Sequence, residues 1–290
     1  MTDERYARLA ADHLSADLAD RWTALLRPCA RLHPAATDEQ PVAILGGTPE
    51  LPPGTAWPEW PGHGPLSFVA SVRCAALPRE ALTTGFPQDG TLLFFCFEYD
   101  GEADGDEGPF VSVDDPESWV GAQVLYVPEG TPVRPAEVPR ELDPYPRTPL
   151  VAETELSAPD LWLPQVRQAL LGDGGEWPDH FRETPVELRS FRRAFERLRG
   201  HMGHQIGGHA VPVQGPVEYE VADAHLGPGQ RTWGDPLLDE EAARWVVLAQ
   251  FDSDTDAEME WGDAGTLYWL IRHEDLTASR FDRVRLVVQC

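Results

Sequence analysis

Ile44-Leu45-Gly46-Gly47-Thr48-Pro49, Phe68-Val69-Ala70-Ser71-Val72 and Asp89-Gly90-Thr91-Leu92-Leu93-Phe94-Phe95 come back later in the chain, in the same order. They return as Gln205-Ile206-Gly207-Gly208-His209, Val247-Leu248-Ala249-Gln250-Phe251 and Asp263-Ala264-Gly265-Thr266-Leu267-Tyr268-Trp269. Each set holds a Gly-Gly turn, an apolar run and a Gly-Thr-Leu entry into an aromatic run. Paired glycines reach the left-handed backbone that tight turns need. Runs rich in β-branched and aromatic residues suit strands. Each set also ends in a Val/Leu run, Val124–Val127 and Val284–Val288. The spacing differs: Gly47 to Ala70 is 23 residues, whereas Gly208 to Ala249 is 41. The pattern predicts an α+β, mainly-β fold of two pseudo-repeated β-units, with an insertion in the second.

Four segments follow along the chain. Residues 1–40 are an N-terminal helix and lead-in, with the helix over about 3–27 and Pro28 as its stop. Residues 41–127 are the first β-unit, and the acidic stretch from Glu98 to Gly108 is a surface excursion. Residues 128–160 carry eight prolines and are expected to be an extended connector, because proline lacks a donor and fixes φ. Residues 161–290 hold helices and the second β-unit, the whole forming one compact domain. One helix is expected from about 158 to 171, ahead of Gly172. Another follows Thr184 as N-cap, with Pro185 in the first helical position, Glu187 completing a capping box and Gly200 as the stop.

Composition excludes several chemistries. The formal charge is −26, with 49 acidic against 23 basic residues. Phosphate backbones need clustered cations, so nucleic acid is not the expected partner. An anionic membrane surface is disfavoured for the same reason, and a cationic protein is the partner such a surface would steer. No apolar run approaches the ~20 residues of a membrane span. Met1-Thr2-Asp3-Glu4-Arg5 has no signal-peptide character, and the four cysteines are scattered without a C-x-x-C. A cytoplasmic location is therefore expected. Lysine is absent, which rules out Schiff-base and P-loop lysine chemistry.

Candidate chemistry concentrates in the second unit. His201, His204 and His209 offer imidazoles that Asp252, Asp254 or Asp263 could join at a metal, although the spacing matches no zinc signature. The alternative is that His204 bonds the backbone turn at Gly207-Gly208. Asp252-Ser253-Asp254-Thr255-Asp256 opens like a calcium loop but places Ala257 where glycine is needed. Its alternative is a turn capped by Asp and Ser side chains. Asp252, Asp254, Glu258, Glu260, Asp263 and Asp275 could supply an acid/base pair. Trp57, Trp60 and Trp261 lie in Pro/Gly-rich loops, where an indole pins a loop or offers a ligand platform. Trp245 and Trp269 sit in strand runs and are expected in the core. No G-x-S-x-G, H-E-x-x-H or G-x-G-x-x-G context is present.

The ordered set Gly46-Gly47-Thr48-Pro49-Glu50-Leu51-Pro52, Trp57-Pro58, Pro65-Leu66-Ser67-Phe68-Val69-Ala70 and Gly90-Thr91-Leu92-Leu93-Phe94-Phe95 carries a family resemblance. It continues in His204-Gln205-Ile206-Gly207-Gly208, Gln214, Leu248-Ala249-Gln250-Phe251-Asp252-Ser253-Asp254 and Trp261-Gly262-Asp263-Ala264-Gly265. Over about residues 40–290 the chain resembles the YwqG family, also known as domain of unknown function 1963. The resemblance implies a mainly-β, roll-like fold with accessory helices, and no established reaction. Ser71 stands where the first half of the pattern has glutamine, and His209 where an aromatic follows the second Gly-Gly.

These observations lead to a non-catalytic binding or protein-interaction module with its cleft between the two units. The expected ligand-binding residues are His204, Gln214, Gln250, Asp252, Asp254 and Trp261. The alternative is a metal-dependent hydrolase using His204, Asp252, Asp254 and Asp263; a divalent metal is implied only there. Ser71-Val72-Arg73 faces Gln250-Phe251-Asp252 in the alignment of the units. That asymmetry assigns the site to the second unit and the scaffold to the first.

Overall fold

The computed structural model describes residues 4–98, 108–173, 175, 177, 184–199, 203–229 and 231–290. Among them, ten strands form one antiparallel sheet. In chain order they are β1 (Arg27–Pro34), β2 (Ala43–Leu45), β3 (Ser67–Arg73), β4 (Thr91–Cys96) and β5 (Ala122–Val127). Then come β6 (Thr148–Ser157), β7 (Gln205–Ile206), β8 (Trp245–Asp252), β9 (Thr266–Arg272) and β10 (Arg285–Gln289). Their order across the sheet is β10-β9-β8-β7-β1-β6-β2-β3-β4-β5. The long β1–β6 pair is central, and a quartet extends from each side of it. With the helices below, this is a mainly-β α+β fold.

The quartets match position by position. Leu45 faces Ala70 and Ile206 faces Ala249. The β3–β4 ladder skips a residue between Phe68 and Ala70, and the β8–β9 ladder skips one between Val247 and Ala249. At each bulge the carbonyl of the extra residue accepts from the first glycine of the Gly-Gly turn. Gly46 N donates to Val69 O at 2.9 Å, and Gly207 N donates to Leu248 O at 3.2 Å. Both glycines of each pair are left-handed, with φ of 59° and 71° in the first and 67° and 72° in the second. Ala70 then faces Phe94, as Ala249 faces Trp269.

Strand alternation sends Ala70, Val72, Leu92 and Phe94 to one face, with Ala249, Phe251, Leu267 and Trp269 on the matching face of the other quartet. These inner faces share one core. Phe94 meets Phe251 edge-on at 5.1 Å between ring centres and Trp269 at 5.4 Å. Burying each such side chain is worth about 1.5–3 kcal/mol.

Helices cover the rest. α1 (Arg5–His13), α2 (Ala16–Thr23), α3 (Pro164–Leu171) and α4 (Val186–Leu198) build a second core around Trp22. The Trp22 indole packs edge-on against Phe191 at 4.9 Å and Phe195 at 5.9 Å. α5 (Val217–Leu226) and α6 (Pro236–Ala242) lie on the outer face of the second quartet, over Val247, Tyr268, Leu270 and Val287. A short helix α7 (His273–Thr277) leads from β9 toward β10. No helix among the described residues is long and apolar enough to cross a membrane.

Three expectations about local structure change. The single helix over 3–27 is two, broken at Leu14-Ser15, and Pro28 lies inside β1 rather than ending a helix. β7 pairs β1 only at Ala30 and Arg31, so the prolines at the two ends of β1 remove no bond on that side. The expected connector ends in β6, the longest strand. Pro149 sits within it and its carbonyl accepts from Ala35 N. A proline loses a donor but keeps its acceptor, which composition alone does not register. The capping box at α4 does not form. Pro185 is the cap residue, and Glu187 instead accepts the backbone N–H of Ser15 at the start of α2. Gly200, His201 and most of the acidic excursion lie outside the described residues.

Candidate functional site

The outer faces of the quartets differ. On the second, the row Gln205, Gln250, Tyr268 and Val287 runs across β7–β10, with Asp252, Thr266 and Gln289 one step along. The segment 209–215 lies over this face, and the side chains below hold its backbone. Gln205 Nε2 donates to Gly207 O and His209 O at 2.9 and 2.8 Å. Gln250 Oε1 accepts from Val211 N at 3.0 Å while its Nε2 donates to Gly203 O. Tyr268 OH donates to Val211 O at 2.9 Å. Gln289 Oε1 accepts from Val213 N and Gln214 N, and its Nε2 donates to Gly215 O. An extended segment without a ladder partner needs such acceptors and donors when buried. Gln205, Gln250 and Gln289 are all buried, and their polar work is internal.

The equivalent row on the first quartet is Ile44, Ser71 and Leu93, with Arg73, Thr91 and Val127 one step along. These positions carry short, apolar or cationic side chains and cannot hold a covering strand as the glutamines do. The segment after Gly46-Gly47 instead pairs Glu50-Leu51 with Arg134-Pro135. A cleft of about 620 Å³ remains between it and the sheet. Phe68, Leu93 and Val127 form its apolar floor, and Ser71 and Thr91 add hydroxyls. Arg73 and Arg147 bring two guanidinium groups, and Glu50 is the acidic residue in its wall. Arg73 gives an N–H to Pro41 O, and among the described residues most of its five donors have no other partner. Among the described residues, no histidine or cysteine lines the cleft.

The residues singled out in the second unit group around one turn. His204 Nε2 donates to Asp254 Oδ2 at 3.0 Å, and its Nδ1 accepts from Asp252 N at 3.2 Å. The ring thus bonds the Asp252–Asp254 turn, not the Gly207-Gly208 turn. Asp254 Oδ1 accepts from Ala257 N at 2.8 Å, and Ser253 Oγ bonds Gly265 O and Trp261 N. This is the Asp/Ser-capped turn rather than a calcium loop. The hydrogen bond from His204 holds Asp254 below the usual carboxylate range, while burial raises Asp252 despite the Thr266 hydroxyl on its Oδ1. Gln214 lies away from this turn and donates to Cys290 O. Trp261 is buried with its edge on Tyr145, centroids 6.0 Å apart. Gln250 holds the chain together as described above.

A divalent ion does not fit the set His204, Asp252, Asp254 and Asp263. Both ring nitrogens of His204 are committed, so no lone pair is left for a metal. Asp263 is exposed on the loop before β9. Among the described residues, no three His, Cys, Asp or Glu side chains are placed to hold a metal ion. His209 is likewise occupied. Its Nε2 donates to Leu25 O at 2.9 Å, and burial pushes its pKa down to about 3. The loop tryptophans Trp57 and Trp60 pin the first unit. Trp57 Nε1 donates to Leu66 O at 2.8 Å, and Trp60 packs on His63 and Phe97. Trp245 and Trp269 are buried in the core, as expected.

The sequence marks neither arginine of the cleft: Arg147 sits in the stretch whose prolines predict a connector, and Arg73 in the unit read as scaffold. A family model described as "Domain of unknown function (DUF1963)" matches residues 44–290, beginning inside β2 and leaving out β1. No curated protein matches the chain.

Proposed function

Since the chain belongs to the DUF1963 family, whose description carries no activity, we propose from its geometry that it is a non-catalytic binding protein. Its site is the cleft on the outer face of the first quartet, and its ligand has an apolar body and an anionic group. One observation carries this reading. The face that the second quartet fills with its own residues 209–215 stays open on the first, above an apolar floor and beside Arg73 and Arg147. Ligand clefts are typically about 300–1,000 Å³, mostly apolar, with a few placed polar groups. Guanidinium groups are forks matched to carboxylates. The strand registers and matched bulges support reading the two quartets as an internal duplication. One copy would have kept its covering segment, and the other would have released it for a ligand. Four free cysteines, three of them buried, fit the reducing compartment expected for a cytoplasmic protein.

Ligand-observed NMR with aliphatic and aromatic carboxylates, each beside its neutral amide, tests this reading. Saturable carboxylate binding is expected, weakened about tenfold or more by Arg147→Ala and abolished by Leu93→Trp, which fills the floor. Equal binding of acids and amides, or binding untouched by both variants, would refute it.

A further inference from the structure

A second cationic pocket lies at the opposite end of the second quartet and plays no part in the cleft. Arg272 closes β9, Arg285 opens β10, and Arg280 and Arg283 come from the connection between them. With His225 and Trp245 they line a pocket of about 280 Å³, in which Asp275 is the acidic residue of the lining. Trp245 and Arg272 are cross-strand partners, which puts the indole beside the guanidinium, 5.6 Å from ring centre to Cζ. Four arginines around one small space are unusual in a chain with 49 acidic residues and 23 basic ones. Like charges gathered at a partly dry site repel one another unless an anion joins them.

The existing partners account for only part of this charge. Arg272 is held by Glu241, its Nε 3.0 Å from Oε1, and Arg280 is held by Asp275. Among the described residues, Arg283 has only its exposed neighbour Asp282, 3.4 Å away. Arg285 has no carboxylate within ion-pair distance among the described residues. Its Nη1 donates to Val284 O and its plane lies over Trp119 at 4.2 Å. Its Nε is buried and has no acceptor among the described residues. A buried donor without an acceptor is a deficit that a bound anion would remove.

We infer that this pocket binds a phosphate monoester carried by a small molecule. Arg283 and Arg285 donate to the phosphoryl oxygens, Arg272 and Arg280 add charge, and the wall formed by Trp245 and His225 meets the organic portion. A phosphate dianion presents three acceptor oxygens and suits several guanidinium forks at once. His225 reports on the site. Burial and then Arg272 lower its pKa in the free protein, and an anion beside it would raise it again.

Calorimetric titration with inorganic phosphate at low ionic strength is the first test. Saturable binding is expected, weakened at least tenfold by Arg285→Ala and by Arg283→Ala. Arg283 is exposed, so its variant keeps the fold even if Arg285→Ala loses packing on Trp119. NMR titration of the histidine rings should show the His225 pKa rising when phosphate is added to the wild type. Leu93→Trp should leave phosphate binding unchanged. Absence of saturable binding, or binding that survives both arginine variants unaltered, would overturn the site. Glycerol 3-phosphate should bind more tightly than a phosphoserine peptide; the reverse order would overturn the small-molecule assignment.

Discussion

The two quartets have the same backbone plan and opposite outer faces. Their bulges, Gly-Gly turns and inner aromatic residues coincide. The second quartet, however, places Gln205, Gln250, Tyr268 and Gln289 where the first has Ile44, Ser71, Leu93 and Val127. Glutamine is long enough to reach a backbone amide from the sheet, and serine, isoleucine and valine do not replace it. A polar side chain on a strand can therefore mean closure rather than function. The face with fewer polar groups is the one left with room.

The largest expected difference comes from removing one such glutamine. Gln250→Ala leaves the buried Val211 N and the half-buried Gly203 O without their partner and should cost about 3 kcal/mol. Its counterpart Ser71→Ala should stay within about 0.5 kcal/mol. Urea denaturation of both variants checks the contrast. Similar losses would mean that the two faces are not distinguished as described.

A smaller effect separates the turns. A methyl group on Gly46 would meet Pro146 O at 2.5 Å and Tyr145 Cβ at 2.7 Å, whereas on Gly207 its nearest neighbour is Ala81 O at 3.6 Å. Gly207→Ala should therefore cost only the left-handed strain of about 1–2 kcal/mol. Gly46→Ala should cost clearly more, since the obstacle is backbone. Thermal unfolding of the pair checks this, and equal losses would mean that the two turns are equally crowded.

The third effect, small near neutral pH, is one of pH. Burial holds His209 neutral, with its pKa near 3 against about 6.5 when unfolded. The unfolded chain therefore binds the extra proton first as pH falls. This contribution to stability is complete above about 6.5 and is lost progressively as pH drops toward 3. Because His209 begins the segment that covers the second quartet, amide exchange at residues 210–214 should accelerate on acidification in the wild type. His209→Gln should blunt that acceleration. An unchanged pH response in the variant would count against the assignment.

Much of this architecture was legible in the chain. The recurring Gly-Gly, apolar and Gly-Thr-Leu signals marked the strands that form the quartets, because turns and strand alternation are local. The central pair was not legible. Pro28 and Pro149 looked like breakers, and whether a proline breaks a sheet depends on which neighbour needs its missing donor. The importance of Gln250 could be seen, but its role could not. Val211 N and Gly203 O, the groups it holds, lie 39 and 47 residues away. Gln289 could have been noticed as a buried-strand glutamine of the same kind. Arg73 and Arg147 converge only through the fold, so the cleft proposed as the site has no signature in the sequence.

One outer face is open, and the other is filled by its own chain. Single cysteines at Ser71 and Gln250 test it most directly, in a Cys290→Ser background because Cys290 is the exposed thiol among the four. Under native conditions, with both variants shown to be folded, a maleimide should label Ser71→Cys at least tenfold faster than Gln250→Cys. Equal protection of the two positions, or faster labelling at 250, would contradict the account.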